Sequence, residues 1–175
     1  GWQKATYTDG RPQAGVLSTN ALWWRYTSTR ANGNRGRANA MTRILLCDDY
    51  LTRSISFSRD VNLLDDDAVR HAIQTNPGCV ACHHSLEPLS AFFWGFFYPN
   101  DNYDMGLYRP DREQMWREYS LASPGYYGET GHTLEDLGRS ISKDPKLAEC
   151  VTQQVFEGLI RRKVVLEDTN DLTRH

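Results

Sequence analysis

The stretch NPGCVACHHSLEPL, Asn76 to Leu89, places two cysteines three apart immediately before two histidines, in a chain that has only 4 Cys and 5 His. Side chains gathered so tightly hold something, and whatever they hold dictates what the rest of the chain must fold around. Cys79-Val80-Ala81-Cys82-His83 has the C-x-x-C-H spacing by which a c-type haem is attached. Each thiol adds across one vinyl group of the porphyrin, and two intervening residues let both sulfurs reach the same edge of the macrocycle. His83 then falls beneath the iron and supplies its proximal nitrogen. Two other chemistries use similar residues. A structural zinc site would take Cys79, Cys82 and a histidine, but it needs a second ligand pair, and the other cysteines, Cys47 and Cys150, are isolated. A thioredoxin-like dithiol belongs at a strand-to-helix junction in a βαβ unit, a pattern that does not precede Cys79. Haem is the favoured reading of the three.

At 175 residues the chain is expected to form one domain, a single c-type haem domain or a processed subunit of a larger assembly. A net charge of −2 argues against a nucleic-acid binder, which needs a concentrated basic face. The arginines between Arg25 and Arg43 alternate with Asn, Ala and Gly and read as a solvated loop. The most apolar segment, Leu89 to Pro99, is about half the roughly 20 residues that a bilayer span requires. The sequence starts Gly1-Trp2 rather than with Met, as expected of a chain whose export signal has been removed.

Helical periodicity predicts a helix from Arg37 to Cys47 on Met41, Ile44 and Leu45. A second is expected from Asp65 to about Thr75. Aspartates sit at its positive end, Ala68, Val69, Ala72 and Ile73 form its apolar face, and Asn76-Pro77-Gly78 stops it. A short helix is predicted over His132 to Ile141. A longer one is capped by Asp144, with Pro145 at its first position and a stripe of Leu147, Val151, Val155 and Leu159 running to about Arg162. Strand signals are weak. The expected fold class is mainly α, a small cytochrome c-like helical domain with long loops around one covalent haem.

The motif resembles the N-P-x-C-x-x-C-H-x-x-x-D-P-[IL]-G signature of a family of exported cytochrome-like proteins of planctomycetes and myxobacteria, in which it lies near the end of long chains. The resemblance extends to Gly15–Thr19, Asn34–Cys47 and Thr133–Lys163. Glu87 stands where the family has Asp, Ser90 where it has Gly, and Ile73 where a histidine is often found. The run Phe92 to Tyr98 replaces the family's usual continuation. The resemblance implies attachment of haem outside the cytoplasm, in a periplasmic or other extracytoplasmic compartment, where thiols tend to be oxidised. Because Cys47 and Cys150 match cysteines of the family pattern, it also implies a disulfide between them.

The expected function is electron transfer by a monohaem c-type cytochrome working with a redox partner protein or with other subunits. The alternatives are a peroxidase-like haem enzyme with an open sixth position, and a structural module in which the bound group nucleates a core. The run Ala91 to Tyr98 is expected to pack in the core and on the haem, with part of Phe92–Tyr98 meeting another subunit. Arg35, Arg37 and Arg109 are candidate partners for the haem propionates. For the distal iron ligand the candidates are Met105, Met115, His132, His71, Met41, His84 and His175. His132, just before the C-terminal helices, is chosen over Met105, which predicts a bis-histidine iron of lower potential than a His/Met one.

Overall fold

Asn76 joins the two helices that carry the motif. The computed structural model describes residues 3, 6–29, 31–54, 61–97, 108–165 and 168. Asp65 caps α3 (Asp66–Thr75), its carboxylate accepting from the backbone N–H groups of Asp67 and Ala68 at 3.0 and 3.1 Å. Asp66 and Asp67 fill the first turn, where the helix dipole favours negative charge. As expected, Ala72 and Ile73 are buried; His71, a candidate iron ligand, is exposed. Asn76 ends α3 and at once caps α4 (Pro77–Ser90), its Oδ1 accepting from Gly78 N–H at 3.0 Å, with Pro77 at the first helical position. The Asn-Pro-Gly stop is therefore also a start, and the cysteine motif lies inside a helix that periodicity did not announce.

α2 (Arg35–Leu45) packs beside α4 and buries Ala38, Ala40, Met41 and Thr42. It begins and ends earlier than the expected Arg37–Cys47 and leaves Cys47 just past its end with a positive φ of 53°. α4 tightens into a 3₁₀ turn, Ala91–Phe96, whose residues are all buried. A segment apolar on every side has to be enclosed on every side. Trp23, from α1 (Asn20–Arg25), stacks on Phe96 with ring centroids 4.6 Å apart and meets Phe93 at 4.9 Å. Tyr108 stands edge-on to Phe96, and Trp94 donates its indole N–H to Ser120 Oγ at 2.9 Å, just beyond α5 (Trp116–Tyr119). The expectation that Phe92–Tyr98 offers a docking surface is thereby corrected for Phe92 to Phe97, which the chain encloses itself; Tyr98 lies outside the described residues.

A two-stranded hairpin follows, β1 (Gly125–Tyr126) antiparallel to β2 (Glu129–Thr130), turned by Tyr127 and Gly128, both at positive φ. α6 (Leu134–Lys143) opens on a capping box in which Thr133 and Asp136 satisfy each other's backbone N–H groups. α7 (Pro145–Ile160) begins at its Asp144 cap as expected. Its apolar stripe does not enter the core: Leu147 touches it, but Val151, Val155 and Leu159 are 47, 58 and 77% exposed. The helix docks through a different face, by the Cys47–Cys150 disulfide and a 2.8 Å hydrogen bond from Gln154 to Ile44 O. The architecture is mainly helical, and no described helix is long and apolar enough to cross a membrane.

Candidate functional site

The Asn76 cap fixes the register of α4, so that Cys79 falls in its first turn. Cys82 and His83 follow one turn on, at i+3 and i+4, and the three side chains share a face. Cys82 is buried in the central cluster, Cys79 is half-buried, and the His83 side chain is 23% exposed; Ala81 and His84, on the opposite face, are exposed. Both thiols are free, whereas Cys47 and Cys150 are joined to each other.

Behind His83 stands Glu87, one turn further along α4 and 4% exposed. Its Oε1 lies 2.7 Å from His83 Nδ1 and also accepts from Arg35 Nε at 2.5 Å, while Arg35 Nη2 reaches Oε2 at 3.3 Å. Arg35 is steadied by the carbonyl of Ala31, 3.0 Å from Nη1. Burial pushes the Glu87 carboxyl up, but the hydrogen bonds from His83 and Arg35 outweigh it and hold the group below the ordinary carboxylate range. On another flank Tyr50 and Ser85 share a hydrogen bond of 2.8 Å between their hydroxyls. Arg53 lies over the Tyr50 ring, pairs with Asp48 at 2.7 Å and has the Cys82 thiol as a further partner.

The structure distributes the remaining sequence candidates. Arg35 serves Glu87. Arg37 is buried and donates to Tyr26 O, Asn34 Oδ1 and Phe96 O, which ties it into the fold. Arg109 pairs with Asp111 at 3.1 Å on the surface, while its backbone N–H bonds Gly95 O. Met41 is a core residue, buried in α2. His132 is exposed ahead of α6, and its backbone N–H donates to Asp136 at 3.0 Å. Next to it, Gly131 packs on Phe92, nine residues downstream of His83. Met105 and His175 lie outside the described residues.

Sequence reasoning passed over Glu87 and Arg53. A carboxylate four residues after a histidine in a helix is a readable signal for Glu87; Arg53 carried none, because its partners depend on the fold. The donor set fits a c-type haem: two free thiols one turn apart, and beside them a histidine whose Nδ1 is engaged and whose Nε2 has no hydrogen bond among the described residues. A zinc centre finds less support, since among the described residues no group of three or more His, Cys, Asp or Glu is gathered to hold a metal ion. No protein family, curated protein or solved structure matches the chain.

Proposed function

We propose that this chain is a monohaem c-type cytochrome that carries electrons outside the cytoplasm, as a subunit or partner of a larger redox complex. One observation supports this most: Cys79, Cys82 and His83 occupy one face of α4 with both thiols free, while the other two cysteines are consumed in a disulfide. Cys79 and Cys82 would hold the porphyrin through thioethers, and His83 Nε2 would bind the iron. Bound haem supplies a one-electron Fe(III)/Fe(II) couple. The protein's part would be to hold the His83 imidazole through Glu87, to shield the group beside buried Cys82, and to supply a packed core around it. The Cys47–Cys150 disulfide is compatible with an oxidising compartment. His132 and Met105 are the two candidates for the sixth position. A second reading, a haem enzyme with that position open, draws on the His83–Glu87 pair, because a carboxylate on Nδ1 raises the basicity of an axial histidine.

Production in a bacterial periplasm alongside haem-attachment machinery tests the proposal. The expected product keeps its haem through denaturing electrophoresis, and Cys79→Ala and Cys82→Ala variants each lose one thioether by the pyridine haemochrome spectrum. A ferric spectrum insensitive to cyanide and peroxide marks the electron carrier, and a high-spin, ligand-binding one marks the enzyme. A chain that stays haem-free where a control cytochrome is loaded would overturn the proposal. Recovery of a reversible Cys79–Cys82 disulfide instead would make it a dithiol protein.

A further inference from the structure

Glu87 is buried, and two elements fix it. It sits one turn below His83 on α4, and Arg35, from the start of α2, grips both of its oxygens at 2.5 and 3.3 Å. An ionised carboxylate only accepts hydrogen bonds, so the 2.7 Å contact requires a proton on His83 Nδ1. In the neutral imidazole that leaves the lone pair on Nε2, the nitrogen an iron would take. Rotation of the ring is held by the same bond. Had Glu87 been gripped by His83 alone, the side chains could swing together; Arg35 arrives 52 residues away in sequence and removes that freedom.

We infer that Glu87 is the positioning residue of His83, setting its tautomer and ring orientation, and that Arg35 moderates the charge it presents, so that the pair tunes the reduction potential of the iron. The inference deepens the cytochrome reading and rests on it for the potential, but the tautomer is a property of the chain alone. A carboxylate behind the axial imidazole makes it a stronger donor and favours the ferric state, which lowers the potential. The Arg35 cation works against this. The two residues therefore act with opposite signs, which a merely structural role would not produce.

The experiment has two arms. In the haem-free protein, nitrogen NMR of His83 reads the tautomer of its neutral form. Nδ1–H is expected in the native chain, with mixed tautomers in Glu87→Gln; a native His83 protonated on Nε2 overturns the inference whatever the fate of the cytochrome reading. In the haem-loaded protein, Glu87→Gln keeps an acceptor but loses the charge. It is expected to shift the Fe(III)/Fe(II) balance about tenfold, about 59 mV towards positive potential for a one-electron couple. Arg35→Gln should move the potential the other way, and Arg35→Lys should restore most of it. Shifts of the same sign in Glu87→Gln and Arg35→Gln, or no shift in either, refute the tuning role. Absence of covalent haem from the native chain defeats the cytochrome reading and with it the tuning claim, and leaves the tautomer measurement to decide the positioning claim.

Discussion

Arg37 enters the core in the first turn of α2, with its guanidinium 5.2 Å from the Trp23 ring centre and its donors on Tyr26 O, Asn34 Oδ1 and Phe96 O at 2.8, 3.0 and 2.9 Å. It ties the start of α2 to Tyr26 and to Phe96, 59 positions on, and truncation strands the buried carbonyl of Phe96. Leaving a buried acceptor without a donor costs about 1–3 kcal/mol. Arg37→Ala is expected to lose about that much in a urea titration while, on the proposed cytochrome reading, haem attachment and the haem spectrum stay as they were. Arg37→Lys should not rescue it, since one ammonium cannot reproduce a planar fork. A spectral change with unaltered stability would return Arg37 to the haem. What sorts Arg35 and Arg37 lies far off in sequence, at Glu87 and Phe96, whereas Arg109 pairs with Asp111 two residues on. That Cys79, Cys82 and His83 share a face was legible, because the spacing that brings them together on α4 is displayed along the chain.

Among the elements, α3, α6 and α7 were readable from their caps, since Asp65, Thr133 and Asp144 act within three residues of themselves. α4 was not, because its helical run carries Pro88 and leads into the 3₁₀ turn without an apolar stripe of its own. α7 illustrates the opposite error. Periodicity marks Val151, Val155 and Leu159 as a stripe, yet the disulfide and Gln154 lie on the face that meets α2. A helix so lightly buried depends on its covalent tie. The bridge spans 103 positions, and closing a loop of about 100 residues is worth about 4.7 kcal/mol in the chain-entropy description. A Cys47→Ala, Cys150→Ala double variant is expected to lose up to about that much. Its hydrogen-exchange protection should fall first in α7, ahead of α2 and α4. Uniform loss across all three helices would show that α7 is not separately tethered.

At the scale of the whole molecule, a stitch that no motif foretold ties the N-terminal segment to the middle of the chain, although the mainly helical class was plain from its periodicities. Asp9 accepts from Arg11 Nε at 2.8 Å and from the backbone N–H of Tyr108, 99 residues on, at 2.9 Å. Arg11, itself buried, donates onward to Ser18 O at 2.7 Å and lies 3.7 Å from the Tyr7 ring centre. Gly10 crosses so close that a Cβ there would sit 2.9 Å from Pro110 Cγ. The Arg11 side chain chiefly, with the Tyr108 amide, outweighs burial and lowers the Asp9 carboxyl from 3.8 to about 2. Glu113, bonded by the Tyr108 hydroxyl, is another acid of the neighbourhood. A depressed acid stabilises the fold while it is ionised in both states, above about 3.8, and that contribution disappears as the pH falls through about 2. Asp9→Asn should therefore be less stable than the native chain at neutral pH, with the gap narrowing only below about pH 4 and closing near pH 2. Urea midpoints of both proteins across that range measure the gap. A difference that does not vary with pH would mean that Asp9 acts by shape alone, and that the charge on the stitch contributes nothing to holding the N-terminal segment against Tyr108.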